Sequence, residues 1–144
     1  MNEVLIWNWN NVVGEEDVVW VLGDFAFGNP WKYFDQLKGF IKIIPGSHDK
    51  VMMRDIPGGM MSRKIVQERI VNIEVDIDED VKKTIVMCHY AMRSWTASHY
   101  ASWHLYGHHH GKLPPHGLSF DVGVDTNSFY PYSLVDVIAK MKSN

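Results

Sequence analysis

Cysteine is nearly absent from this chain: Cys88 is the only one in 144 residues. No intrachain disulfide can form, and a reducing cytoplasm is the simplest compartment for such a sequence. Long apolar runs are missing too. Runs such as Val18–Leu22 fall far short of the roughly 20 residues that a bilayer-spanning helix needs, so no membrane partner is expected. The opening Met-Asn-Glu-Val-Leu-Ile-Trp has neither a basic n-region nor a small-residue cleavage site. There is no Lys/Arg run, and the formal net charge is −3. That balance argues against strong nonspecific nucleic-acid binding, although a nucleotide held through metal ions stays open. Repeats, low-complexity tracts and linkers are also absent. Residues 1–144 therefore read as one domain, with enough chain to bury a substantial core.

What is present is a mixture of helical and strand patterns. Met1, Val4, Leu5, Trp9, Val12 and Val13 share a helical face, with Gly14 as terminator. Val18–Leu22 is a continuous β-branched and aromatic run, the pattern of a buried parallel strand. Asn29-Pro30 opens a helix that closes at Gly39, and Phe40–Ile44 is a second strand. Further on, Val71, Ile73, Val75 and Ile77 alternate within the segment Val66–Ile77, which predicts an antiparallel strand with one wet face. A turn over Asp78–Lys83 leads back into a buried strand, Thr84–Cys88. Leu105–Tyr106 and Leu118–Val124 read as further strands. Ser133 and Asp136 form a capping box for a last helix with Val135, Ile138 and Ala139 inward. Strand–helix alternation followed by an antiparallel section predicts an α/β sandwich.

The richest local signal is imidazole. Seven of the eight histidines lie between His89 and His116, and residues 107–111 read Gly-His-His-His-Gly. Neutral imidazole is the commonest side-chain ligand for first-row transition metals, but such a run alone is also compatible with a polar surface loop. Its companions matter more. Gly23-Asp24, Gly46-Ser47-His48-Asp49, Cys88-His89 and Gly107-His108-His109-His110 each follow the end of an apolar strand. In open α/β sheets ligands gather beyond the carboxyl ends of strands. Asp24 alone could be a turn residue and His89 alone a satisfied half-buried histidine; four such clusters together point to a metal centre.

In this order and spacing the chain resembles the calcineurin-like metallophosphoesterases, in particular the small single-domain enzymes of bacteria and phages. That family runs Asp-x-His, Gly-Asp, Gly-Asn-His-Asp/Glu, a lone His, and Gly-His-x-His; the last four appear here. The resemblance implies a metallophosphoesterase-like α/β sandwich of two mixed sheets flanked by helices. It also implies hydrolysis of a phosphomonoester or phosphodiester at two divalent ions, manganese first, with iron, zinc, nickel and magnesium open. Asp24 would bridge the ions, His89 and His108 would hold one, and His110 the other. His48, oriented by Asp49, would bind the phosphate or protonate the leaving oxygen. His109 would carry no role, and Arg93 would assist a phosphate or serve only the surface.

Two departures shape the expectation. No Asp-x-His precedes Gly23-Asp24, so the chain reads as N-terminally shortened and missing its first strand. Ser47 replaces the family's asparagine, and its hydroxyl is a weaker oxygen ligand. One ion would keep only Asp24 and His110, the other Asp24, His89 and His108 with Ser47 doubtful. The expectation is one well-held divalent ion and weak activity or none, the alternative being a non-catalytic metal-binding remnant of the same fold. A missing interior strand would also leave an exposed sheet edge inviting self-association.

Overall fold

The computed structural model describes residues 1–50, 52, 66 and 68–144. Helix α1 (Asn2–Val12) leads into strand β1 (Val18–Val21), the single-turn helix α2 (Trp31–Phe34) and strand β2 (Phe40–Ile43). Strands β3 (Ile70–Asp78), β4 (Val81–Cys88), β5 (Trp103–Tyr106) and β6 (Ser119–Asp121) follow, and helix α3 (Leu134–Lys142) closes the chain. Short 3-10 turns cover Ser98–Tyr100 and Val124–Thr126. The result is the α/β sandwich with two sheets that the pattern predicts.

The first sheet is a parallel pair, β1 beside β2, rather than a mixed one. The second is mixed, in the order β3-β4-β5-β6, with β3 antiparallel to β4 and the other pairs parallel. Along β3 exposed and half-buried residues alternate without exception; Val71, Ile73, Val75 and Ile77 face the core. Its start is later than expected, because the Val66 N–H bonds the Ile43 carbonyl at 2.8 Å instead of joining the ladder. The expected turn is shorter, with β4 already pairing from Val81.

The main core gathers Ile85 and Met87 of β4, Trp103 and Leu105 of β5, Phe120 of β6, and Val137 and Met141 of α3. Leu22 and Ile44, just past the ends of β1 and β2, join it. A second cluster holds Phe34, Ile41, Ile43 and Met52. Further sequence expectations change. β1 is half-buried rather than buried, since in a two-stranded sheet neither face nor edge is fully covered. On α3 the inward residues are Val137, Ile138 and Met141, with Val135 and Ala139 exposed. On α1, Met1, Val4 and Val12 are exposed, because side-chain hydrogen bonds set the rotation of the helix. Asn8 donates to Phe129 O at 3.1 Å, Trp9 Nε1 to Lys38 O at 2.9 Å, and Asn10 to Gln36 O at 2.7 Å. The chain leaves α1 through an extended Val13, not a left-handed glycine.

Candidate metal centre

Parallel pairing puts the carboxyl ends of β1 and β2 side by side, and those of β4, β5 and β6 likewise. The two groups meet at His89. Its Nδ1 donates to the Leu22 carbonyl at 2.6 Å, and its own carbonyl accepts the Gly107 N–H at 3.1 Å. The close approach explains two glycines. A Cβ on Gly23, whose φ is +88°, would lie 2.5 Å from both His89 Nδ1 and Gly46 Cα; one on Gly46 would lie 2.6 Å from the Asp24 amide nitrogen and Oδ1.

At the junction Asp24, His89 and His108 each offer a ligand atom, all within 4.8 Å of one another. Asp24 Oδ2 is 3.3 Å from His89 Nε2, which is 3.2 Å from His108 Nδ1. A carbonyl can only accept, so Leu22 places the His89 proton on Nδ1. In the neutral ring the lone pair of Nε2 is therefore aimed at a carboxylate and a second imidazole. His89 is 2% exposed, so bulk water does not reach this face of the ring. A Nδ1–H to carbonyl bond is the usual outer-shell support of a metal-ligating histidine.

Burial alone would raise the Asp24 carboxyl. Hydrogen bonds from the His48 backbone N–H and ring help to outweigh burial and hold it below the ordinary carboxylate value. His108 is exposed; slight desolvation, then the neighbouring His89 and His109 rings, hold it below the ordinary imidazole value against the opposing pull of Asp24. Both shifts favour the forms that ligate, carboxylate and neutral imidazole. Asp24 and His108 occupy left-handed backbone, φ +53° and +68°, a conformation tolerated best by Asp, Asn and His among residues with a Cβ.

The other expected residues fall in different places. His48 is mostly exposed, with Nδ1 3.1 Å from Asp24 Oδ2 and from Ser47 Oγ. The Ser47 hydroxyl donates towards Asp24 at 3.2 Å, so it supports that carboxylate. Asp49 does not orient His48: its buried carboxylate accepts backbone N–H groups of Asp24, Phe25 and Gly46. His110 turns away from the cluster to Asp125, Nδ1 to Oδ2 2.5 Å, and Arg93 is exposed in a bend. His109 packs edge-on against Tyr106 and His108. Two residues were given no role by the sequence reading. Tyr90 sits edge-on to both His89 and His108, ring centroids 4.7 Å from each. Asp121 holds the histidine loop by accepting the Gly111 N–H at 2.9 Å and the Gly123 N–H at 2.8 Å. Its place at the end of β6 was the available signal.

This architecture is that of an α/β protein whose candidate site lies beyond the carboxyl ends of its strands. The crystal structure of the protein of unknown function AQ665 from Aquifex aeolicus has the same fold. It matches with a TM-score of 0.67 at 18% identity, over 96% of this chain and 84% of that one. In sequence, the uncharacterized protein MJ1445 of Methanocaldococcus jannaschii is 29% identical over 153 residues, spanning 98% of this chain and 74% of the relative. No family model matches the chain.

Proposed function

We propose that this protein is a metal-dependent phosphoesterase of the calcineurin-like type, built around one divalent ion held by Asp24, His89 and His108. The observation that carries the reading is the His89 ring: its proton is committed to the Leu22 carbonyl, and its free nitrogen faces the Asp24 carboxylate at 3.3 Å. The donor set fits one ion, since three protein ligands and open coordination positions make a workable catalytic site. It does not fit a second. Among the described residues no further His, Cys, Asp or Glu joins that group, and Ser47 offers only a neutral hydroxyl, a weaker oxygen ligand, directed at Asp24.

A divalent ion there would polarise a phosphoryl oxygen and lower the pKa of a bound water. The chain's own residues supply the rest. Asp24 and the two imidazoles hold and orient the ion, with His89 locked by Leu22. His48, exposed and beside Asp24, can hydrogen-bond a phosphoryl oxygen or pass a proton to the leaving oxygen.

Titration calorimetry with Mn2+, run beside hydrolysis of p-nitrophenyl phosphate and bis(p-nitrophenyl) phosphate, tests this. One tight ion per chain and metal-dependent turnover are expected, both lost in His89→Ala. Two tight ions would overturn the single site, and no binding would overturn the metal reading. The single group of ligands also favours a second reading, a metal-binding protein without catalysis, which one tight ion and no turnover of either ester would support.

A further inference from the structure

Asp49 is 2% exposed, yet it carries a carboxylate, which is costly to bury without partners. Its partners are amides of two loops. Oδ2 accepts the Asp24 and Gly46 N–H groups, each at 2.7 Å, and Oδ1 accepts the Phe25 N–H at 3.1 Å. Bonds to an ionised acceptor are about twice as strong as neutral ones. The Asp24 and Phe25 amides belong to the peptide planes on the two sides of the Asp24 Cα. Pinning both sets φ and ψ of Asp24, and so the direction of its side chain. The φ held there is +53°, a left-handed conformation that a side-chain-bearing residue keeps only when its surroundings enforce it. The third bond seats Gly46 against Gly23, where a single added Cβ would collide.

We propose that Asp49 is a positioning residue: its buried carboxylate locks the backbone on both sides of Asp24 and thereby aims the Asp24 carboxylate at His89 and His108. The inference rests on the reading of Asp24 as a metal ligand. It gives Asp49 no contact with substrate and no part in proton transfer.

Asp49→Asn keeps the size of the side chain but replaces one acceptor oxygen with a donor, setting N–H against N–H. Mn2+ calorimetry and amide hydrogen exchange on the full chain, wild type and variant, read the consequence. Expected are a dissociation constant raised at least about tenfold, the low end for outer-shell partners, and selectively faster exchange at Asp24 and Gly46. Amides of the β3–β4 ladder should stay protected, which a general loss of stability would not allow. A folded variant with unchanged affinity and unchanged exchange overturns the inference. If the wild-type chain binds no Mn2+, the metal reading falls, while selective release of the Asp24 and Gly46 amides would still uphold the lock on Asp24. If the variant does not fold, the wild type decides. Its Asp24 and Gly46 amides, outside any strand, must then exchange as slowly as those of β4, and fast exchange there overturns the lock.

Discussion

A fully buried histidine is stable only in the protonation state that its hydrogen bonds require, and His104 shows this. Its Nδ1 donates to the Val86 carbonyl at 2.9 Å and its Nε2 accepts the Met92 N–H at 3.0 Å. Both nitrogens are satisfied by the neutral ring, and a second proton would face an N–H. Desolvation holds the pKa below the ordinary 6.5, against the opposing backbone bonds. The unfolded chain takes up this proton first, so the contribution is complete above about pH 6.5 and drains as pH falls towards the folded value. An NMR titration of the His104 ring should find it neutral at pH 6.5, with unfolding stability decreasing below that pH. A ring midpoint at or above the free-imidazole value would contradict this. His89 is wired the same way at Nδ1, but its Nε2 faces the Asp24 carboxylate, an acceptor, at 3.3 Å. That difference separates a structural histidine from a candidate ligand, and no sequence pattern distinguishes the two.

Elements formed where the pattern was strong and local. The strict alternation of β3 survives intact because a half-buried strand has one way to hide its apolar set. The capping box of α3 is also as read: Ser133 Oγ accepts the Asp136 N–H at 3.1 Å, and Asp136 Oδ2 accepts the Ser133 N–H at 2.9 Å. The Ser133 hydroxyl, which donates to Asp136 Oδ2 at 2.7 Å, and the Ser133 N–H hold the Asp136 carboxyl below its ordinary value. Ser133→Ala should cost about 1 kcal/mol, measured by urea unfolding. A loss near zero would mean that α3 is held by Val137 and Met141 packing alone. Helix α1 departs from its pattern because its fixing contacts are polar. Asn8, Trp9 and Asn10 hydrogen-bond carbonyls of distant loops, and amphipathicity carries no trace of such partners.

At the scale of the molecule, the β1–β2 pair leaves apolar surface uncovered. Val18 and Phe40, which pair across the two strands, are 53% and 58% exposed, and Trp7 on α1 is 63% exposed. Among the described residues β1 has only β2 as a strand partner. An open edge beside apolar side chains favours pairing with a second copy of the chain. Sedimentation velocity should show concentration-dependent dimers that Phe40→Lys reduces; a monomer at all concentrations would refute this. No described helix is long and apolar enough to cross a membrane.

The sequence by itself determined the α/β class, the order of most strands, the capping of α3 and the residues Asp24, His89 and His108. Each of these is written in short-range periodicity or in a motif at a strand end. Only the tertiary structure decided what those residues do together. It committed the His89 proton to Leu22, turned His110 to Asp125, and set Asp49 on the amides around Asp24. These outcomes depend on which loops the two sheets bring into contact, and such contacts join residues 15 to 67 positions apart. Spacing along the chain can name the candidate ligands, but their protons and directions come from neighbours that only folding supplies.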